Sequence, residues 1–151
     1  MKLKTVFFLL IIAGCSPSST QTFSDITKAE KAFLAETDID EDNIIDTVTI
    51  DNEQFFFYED QHHGIGFVNI TESDGSYTIA GYSTKFDLTS ETAGKVTVSG
   101  EFEGRSNTFF YALGAYTSET YMNEMIDQLG LENVKVANDQ SVFYSITKIE
   151  D

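Results

Sequence analysis

Nine consecutive residues, Asp38-Ile39-Asp40-Glu41-Asp42-Asn43-Ile44-Ile45-Asp46, carry the clearest chemical pattern in the chain. Acids stand at relative positions 1, 3, 5 and 9, with an apolar residue at position 8. A looped backbone with that spacing can wrap hard oxygen atoms around one cation. Ca²⁺ takes 6–8 oxygen ligands, and the carbonyl at position 7, here Ile44, commonly supplies one. The expected ligands are therefore Asp38, Asp40, Asp42, the Ile44 carbonyl and Asp46, around a structural calcium ion. The competing reading of the same residues is a solvated acidic turn.

The pattern resembles the D-x-[DN]-x-[DN]-G-x-x-D calcium loops of secreted FG-GAP/VCBS-type proteins, in which the loop opens a β-strand. Two positions depart from it. Asn43 replaces glycine at the turn, and Asn is the next-best residue for a left-handed conformation. Thr49 stands at position 12, so the bidentate glutamate of an EF-hand is missing. The resemblance covers these nine residues and no more of the chain.

Other candidate chemistry is sparse. His62 and His63, the two histidines of the chain, are adjacent and flanked by Glu59 and Asp60. On an extended segment adjacent side chains point to opposite faces; in a turn they could converge on a transition metal, and a polar hairpin loop is the alternative. Glu101 and Glu103 alternate around Phe102 and share one strand face, the spacing of a carboxylate pair. No nucleophile elbow, phosphate loop or paired-histidine helix occurs in the sequence. Asn69-Ile70-Thr71 has the form of a glycosylation acceptor, discounted because the N-terminus reads as bacterial.

That N-terminus has a short basic start, Met1-Lys2-Leu3-Lys4, and an apolar run from Val6 to Ala13. The run falls well short of the about 20 residues that span a bilayer and fits a signal-peptide core. It ends in Ile12-Ala13-Gly14-Cys15, which resembles the bacterial lipobox. The resemblance implies cleavage before Cys15, the chain's single cysteine, and a diacylglycerol on its thiol. The organisation expected is a signal peptide at 1–14, a flexible tether at 15–23 and one globular domain at 24–151. Ser16 after the lipidated cysteine resembles the choice that permits outer-membrane sorting. In a Gram-positive cell the same signal leaves the protein on the outer face of the plasma membrane.

Without residues 1–14 the chain keeps seven basic residues against 25 acidic ones, a net charge of −18 over 137 residues. Such a surface repels nucleic acid and attracts divalent cations and basic partners. The partners expected are the membrane through the lipid, calcium, and an envelope or protein partner whose identity the sequence leaves open.

The elements that must position these residues are mostly strands. Period-two patterns mark strands near 45–51, 54–60, 64–72, 76–83, 94–103, 106–116, 132–137 and 141–149. Asp74-Gly75 marks a two-residue hairpin, with Asp51-Asn52 and Gly104-Arg105 as turns of the same kind. Ser24 or Thr27 is placed to cap a short helix ending near Glu36, with Ile26, Ala29 and Phe33 on one face. Ser118 to Leu129 is the longer helix, with Tyr121, Met122, Met125, Ile126 and Leu129 as its stripe and Gly130 just past its end. Its stripe is expected to be buried on the sheet. The fold class expected is α+β, a mainly antiparallel sheet of about eight strands with a short N-terminal helix and one longer helix, about 118–129, packed on the sheet. A non-enzymatic, calcium-stabilised binding module on a lipid anchor is the leading function class. A carboxylate-based hydrolase using Glu101 and Glu103, or the Glu59–His63 cluster, is the other.

Overall fold

The computed structural model describes residues 21–37, 39–62, 64–83, 86–87, 97–116, 118–137 and 142–150. Within them the chain is α+β and mostly antiparallel sheet. In chain order come β1 (Thr22–Phe23), α1 (Ile26–Thr37), a 3-10 turn (Glu41–Asn43), β2 (Ile44–Ile50), β3 (Glu53–Glu59) and β4 (Gly64–Ser73). There follow β5 (Ser76–Tyr82), β6 (Phe86–Asp87), β7 (Thr97–Glu103), β8 (Thr108–Ala115), α2 (Glu119–Leu129), β9 (Lys135–Ala137) and β10 (Val142–Lys148). Residues 22–23, at the end of the expected tether, already belong to the fold, with Thr22 paired to Thr78 and Phe23 to Tyr77.

The strands divide between two sheets. The first runs β1-β5-β4-β3-β2, with β6 added to the start of β4, and the second runs β7-β8-β10-β9. Alternation along each strand explains why two layers form. On β3, Phe55 and Phe57 point to the second sheet, while Phe56 and Tyr58 point to α1. On β8, Phe109, Tyr111 and Leu113 point back to the first sheet, and Ala112 points to α2. The result is four layers: α1, first sheet, second sheet, α2. Adjacent aromatics such as Phe55 and Phe56 point to opposite faces of their strand, and so meet a second sheet on one side and a helix on the other. Phe67 stands at the centre, its ring 5.2 Å from those of both Phe102 and Tyr111 across the sheet interface.

Helix α1 starts at a carboxylate. Asp25 Oδ1 accepts from the Lys28 backbone N–H at 2.9 Å, so Asp25 fills the capping position expected for Ser24 or Thr27. An aspartate there meets the same free N–H groups and adds favourable charge at the helix N-terminus. The Lys28 N–H bond leads the causes that hold the Asp25 carboxyl below its ordinary range. Ala29 and Phe33 are fully buried on this helix, and α1, with 12 residues, is one residue longer than α2.

Helix α2 is capped as its sequence indicates. Ser118 Oγ accepts from the Tyr121 N–H at 3.3 Å, and Gly130 closes the helix at φ 61°. Its stripe of Met122, Met125, Ile126 and Leu129 rests on Ala112, Phe143 and Leu131, but no residue of α2 is fully buried. The expected burial of that stripe is therefore only half realised. One helix laid on the sheet leaves its flanks open, and the small side chain of Ala112 lies beneath it.

The hairpin turns follow backbone chemistry. Asp74 and Gly75 both have positive φ, 52° and 72°, the two-residue turn suited to twisted strands. Asp51 takes φ 54° in the β2–β3 turn. The β7–β8 turn is longer than the two residues expected. Glu103 pairs with Thr108, so Gly104 to Asn107 form a four-residue loop, closed by Gly104 N–H to Asn107 carbonyl at 2.9 Å.

Candidate functional site

The acidic stretch forms the corner between α1 and β2. Asp38 lies outside the described residues. Ile39 is buried against α1, its N–H donating to the Leu34 carbonyl at 3.3 Å. This plants the loop on the helix and leaves Asp40 and Asp42 exposed. Asn43 N–H donates to the Asp40 carbonyl at 2.9 Å, which closes the 3-10 turn. Ile44 then turns the chain into strand, with φ −72° and ψ 116°.

Asp46 faces a different way. The pairing of β2 with β3 skips between Ile44 and Asp46, and a bulge of this kind re-aims the side chains that follow it. Asp46 Oδ2 accepts from Lys135 Nζ at 2.6 Å and from Tyr144 O–H at 2.8 Å. These bonds tie the outer strand of the first sheet to β9 and β10 of the second. Burial raises the Asp46 pKa, but the Lys135 and Tyr144 hydrogen bonds outweigh it and hold the carboxyl below its ordinary range. Tyr144 moves upward, through burial and then through its bond to the Asp46 carboxylate.

The donor chemistry of Asp40, Asp42 and the Ile44 carbonyl suits a hard cation; one oxygen of Asp46 is already held by two donors. Among the described residues no three histidine, cysteine, aspartate or glutamate side chains come together as a metal-holding group.

No family model, curated protein or solved structure matches this chain.

The hydrolase candidates lie apart. Glu101 and Glu103 are exposed on β7, on the strand face that pairs with Phe110 and Thr108 of β8, and Glu103 accepts from Thr108 Oγ1 at 3.2 Å. In the β3–β4 turn, Asp60 Oδ1 accepts from the N–H groups of His62 at 2.9 Å and Gly64 at 2.7 Å, so this carboxylate shapes the turn. His63 lies outside the described residues.

Three groups gain importance that sequence reasoning passed over. Tyr82 donates to Glu36 Oε2 at 3.3 Å, and burial together with Glu36 pushes its pKa up to about 12. Glu53 is buried at the head of β3, on the same face as Phe55 and Phe57. Asn69 and Thr71, the outer members of the glycosylation-like triplet, are buried between the sheets. An acid or amide interrupting an apolar alternation was the available signal for Glu53 and Asn69.

Proposed function

We propose that this protein is a lipid-anchored, non-enzymatic binding module of the bacterial envelope. The observation that carries the reading is the short reach between anchor and fold. The first strand begins at Thr22, seven residues after the lipobox cysteine, so the domain sits close to the membrane that holds Cys15. Both sheets turn their apolar faces inward or under a helix. The exposed surface of a chain this acidic then meets divalent cations and basic partners. Of the strand pair, Glu103 lines a cavity and Glu101 does not, which favours this reading over a hydrolase that uses the two together in one concavity. Cells fed a tagged fatty acid should label the wild-type chain and leave Cys15→Ser unlabelled. Label that survives the substitution would rule out the lipobox, and the anchor with it.

Calcium is the structural ion of the 38–46 corner in this reading, taken by Asp38, Asp40, Asp42 and the Ile44 carbonyl, with Asp46 shared between ion and Lys135. The support is the acid spacing together with the exposure of Asp40 and Asp42. An affinity of about 10⁻⁴–10⁻³ M, the range of extracellular modules, gives roughly 1.4–2.7 kcal/mol of stabilisation at about 10 mM calcium. The melting temperature of the full chain should rise by about 4–10 °C relative to EDTA. Magnesium, which demands tighter octahedral geometry, should do much less. Asp40→Ala should lose most of the calcium increment. Identical melting in EDTA and calcium would leave a solvated acidic turn.

A further inference from the structure

At one end of the sandwich the β2–β3 turn faces the β7–β8 loop, and polar groups there go under cover with too few partners. Glu53 is 2% exposed. Its Oε2 accepts from the Arg105 backbone N–H at 3.4 Å, and its Oε1 from that of Ser106 at 3.3 Å. Both bonds are long, and each oxygen keeps a lone pair for a further donor. Gly104 permits the approach, because a Cβ there would stand 2.3 Å from Glu53 Oε2.

Beside Glu53 lies a strip of buried polar side chains. Thr71 is its direct partner in the β3–β4 register, is 1% exposed, and its Oγ1 has no hydrogen-bond partner. Two residues back along β4, on the same face, Asn69 is fully buried with both carboxamide atoms unpartnered. Buried hydroxyl and amide groups without partners forfeit their hydration with nothing in return, and they are uncommon enough to require a reason. For Thr71 the reason has a place to sit. A cavity of about 110 Å³ opens among Asp51, Asn52, Glu53, Thr71, Glu72 and Arg105.

The charge around that cavity selects its ligand. Three carboxylates line it against one guanidinium. The Asp51 carboxylate is bound by Lys148 Nζ at 2.7 Å, and Glu72 lies exposed at the mouth. What stays under cover is the Glu53 carboxylate and the Thr71 hydroxyl. A divalent ion needs about six or more oxygens, usually with several carboxylates. A single positive charge carrying directional N–H donors matches the Glu53–Thr71 pair better.

We propose that the Glu53–Thr71 cavity binds a primary ammonium group, which donates to the Glu53 carboxylate and to Thr71 Oγ1. The ammonium belongs either to a free small amine or to a lysine side chain of a basic partner. The inference rests on the binding-module reading and gives that module a ligand class. It uses neither the lipid anchor nor the acidic loop.

The test follows backbone amide signals of Thr71, Arg105 and Ser106 in the full chain while methylammonium is added at constant ionic strength. Saturable shifts are expected with methylammonium and none with tetramethylammonium, which has the charge but no N–H donor. Thr71→Val should weaken binding by about tenfold or more, the worth of one hydrogen bond to a charged donor. It should leave the melting temperature unchanged or higher, since the hydroxyl it removes has no partner. Glu53→Gln, of the same shape without the charge, should weaken binding further. Equal shifts with Nα-acetyl-lysine amide identify a lysine side chain as an occupant, and shifts with methylammonium alone identify a free amine. Absence of saturable shifts, equal response to tetramethylammonium, or wild-type affinity in Thr71→Val would overturn the site and leave a cavity that holds water only. Such a failure would not touch the lipid anchor, whose fatty-acid label is read separately.

Discussion

Phe67→Ala should lower the unfolding free energy by about 3–5 kcal/mol, the range for emptying a fully buried phenylalanine site. Phe67 is fully buried on β4 and touches both sheets at once. Its ring lies 5.6 Å from Phe55 and 5.5 Å from Phe57 within its own sheet. Phe102 and Tyr111 meet it from the other sheet. These neighbours come from three strands in two sheets that also pack on each other, so they cannot all move in to close the gap. The void costs contacts on every side in addition to the lost transfer free energy. Val136→Ala, at a residue 38% exposed, should by contrast cost under about 1 kcal/mol, the usual range for a surface change. Denaturant melts of the two variants give the comparison through their midpoints at constant slope. A loss below about 1 kcal/mol for Phe67→Ala would mean that the two sheets do not share one core.

Much of this core was legible as alternation. The run Phe55-Phe56-Phe57-Tyr58 announces a strand buried on both faces, and the eight longer runs lie within a few residues of the strands observed. Alternation says that a face is covered but not by what. The split into two sheets depends on where strands pair, and Phe102 meets Phe67 only through contacts between sheets that local pattern does not encode. The same limit explains the β7–β8 loop. Gly104-Arg105 has the chemistry of a tight turn, and the longer loop places two backbone N–H groups against the Glu53 carboxylate from the far sheet. Glu53 itself was readable, as an acid heading the apolar face of Phe55 and Phe57, and it shares that signal with Asn69. Asp46 belongs to two patterns. Spacing makes it the ninth position of an ion loop, whereas the bulge makes it an inward strand residue, and its partners lie 89 and 98 residues further along the chain. No local reading reaches that far.

Asp46→Ala should destabilise the protein by about 2–3 kcal/mol, because it removes one acceptor from two donors, one of them on a buried tyrosine. Tyr144 is 4% exposed, so its hydroxyl loses a partner that water does not easily replace. Lys135 is about half exposed, and its share of the loss is correspondingly small. The same carboxylate gives stability a pH dependence whose sign follows from linkage. The folded-state pKa of Asp46 is depressed, so its contribution is fully present above the unfolded-state value near 3.8 and is lost as pH falls through the folded-state value. Tyr144 acts at the other end. Its folded-state pKa is raised, so the native state holds the phenolic proton after the unfolded chain has begun to release it. Stability from that proton is intact below pH 10 and declines as pH rises beyond it. Chemical denaturation across pH should therefore give wild type a steeper acid loss than Asp46→Asn, and a steeper alkaline loss than Tyr144→Phe. Each substitution flattens its own limb most, since the amide no longer titrates as an acid and the phenyl ring no longer titrates as a phenol, and it flattens the other limb in part, because each group shifts its partner. Superimposable acid limbs for wild type and Asp46→Asn would mean that the carboxylate does not bridge the sheets in solution and is free to face the loop.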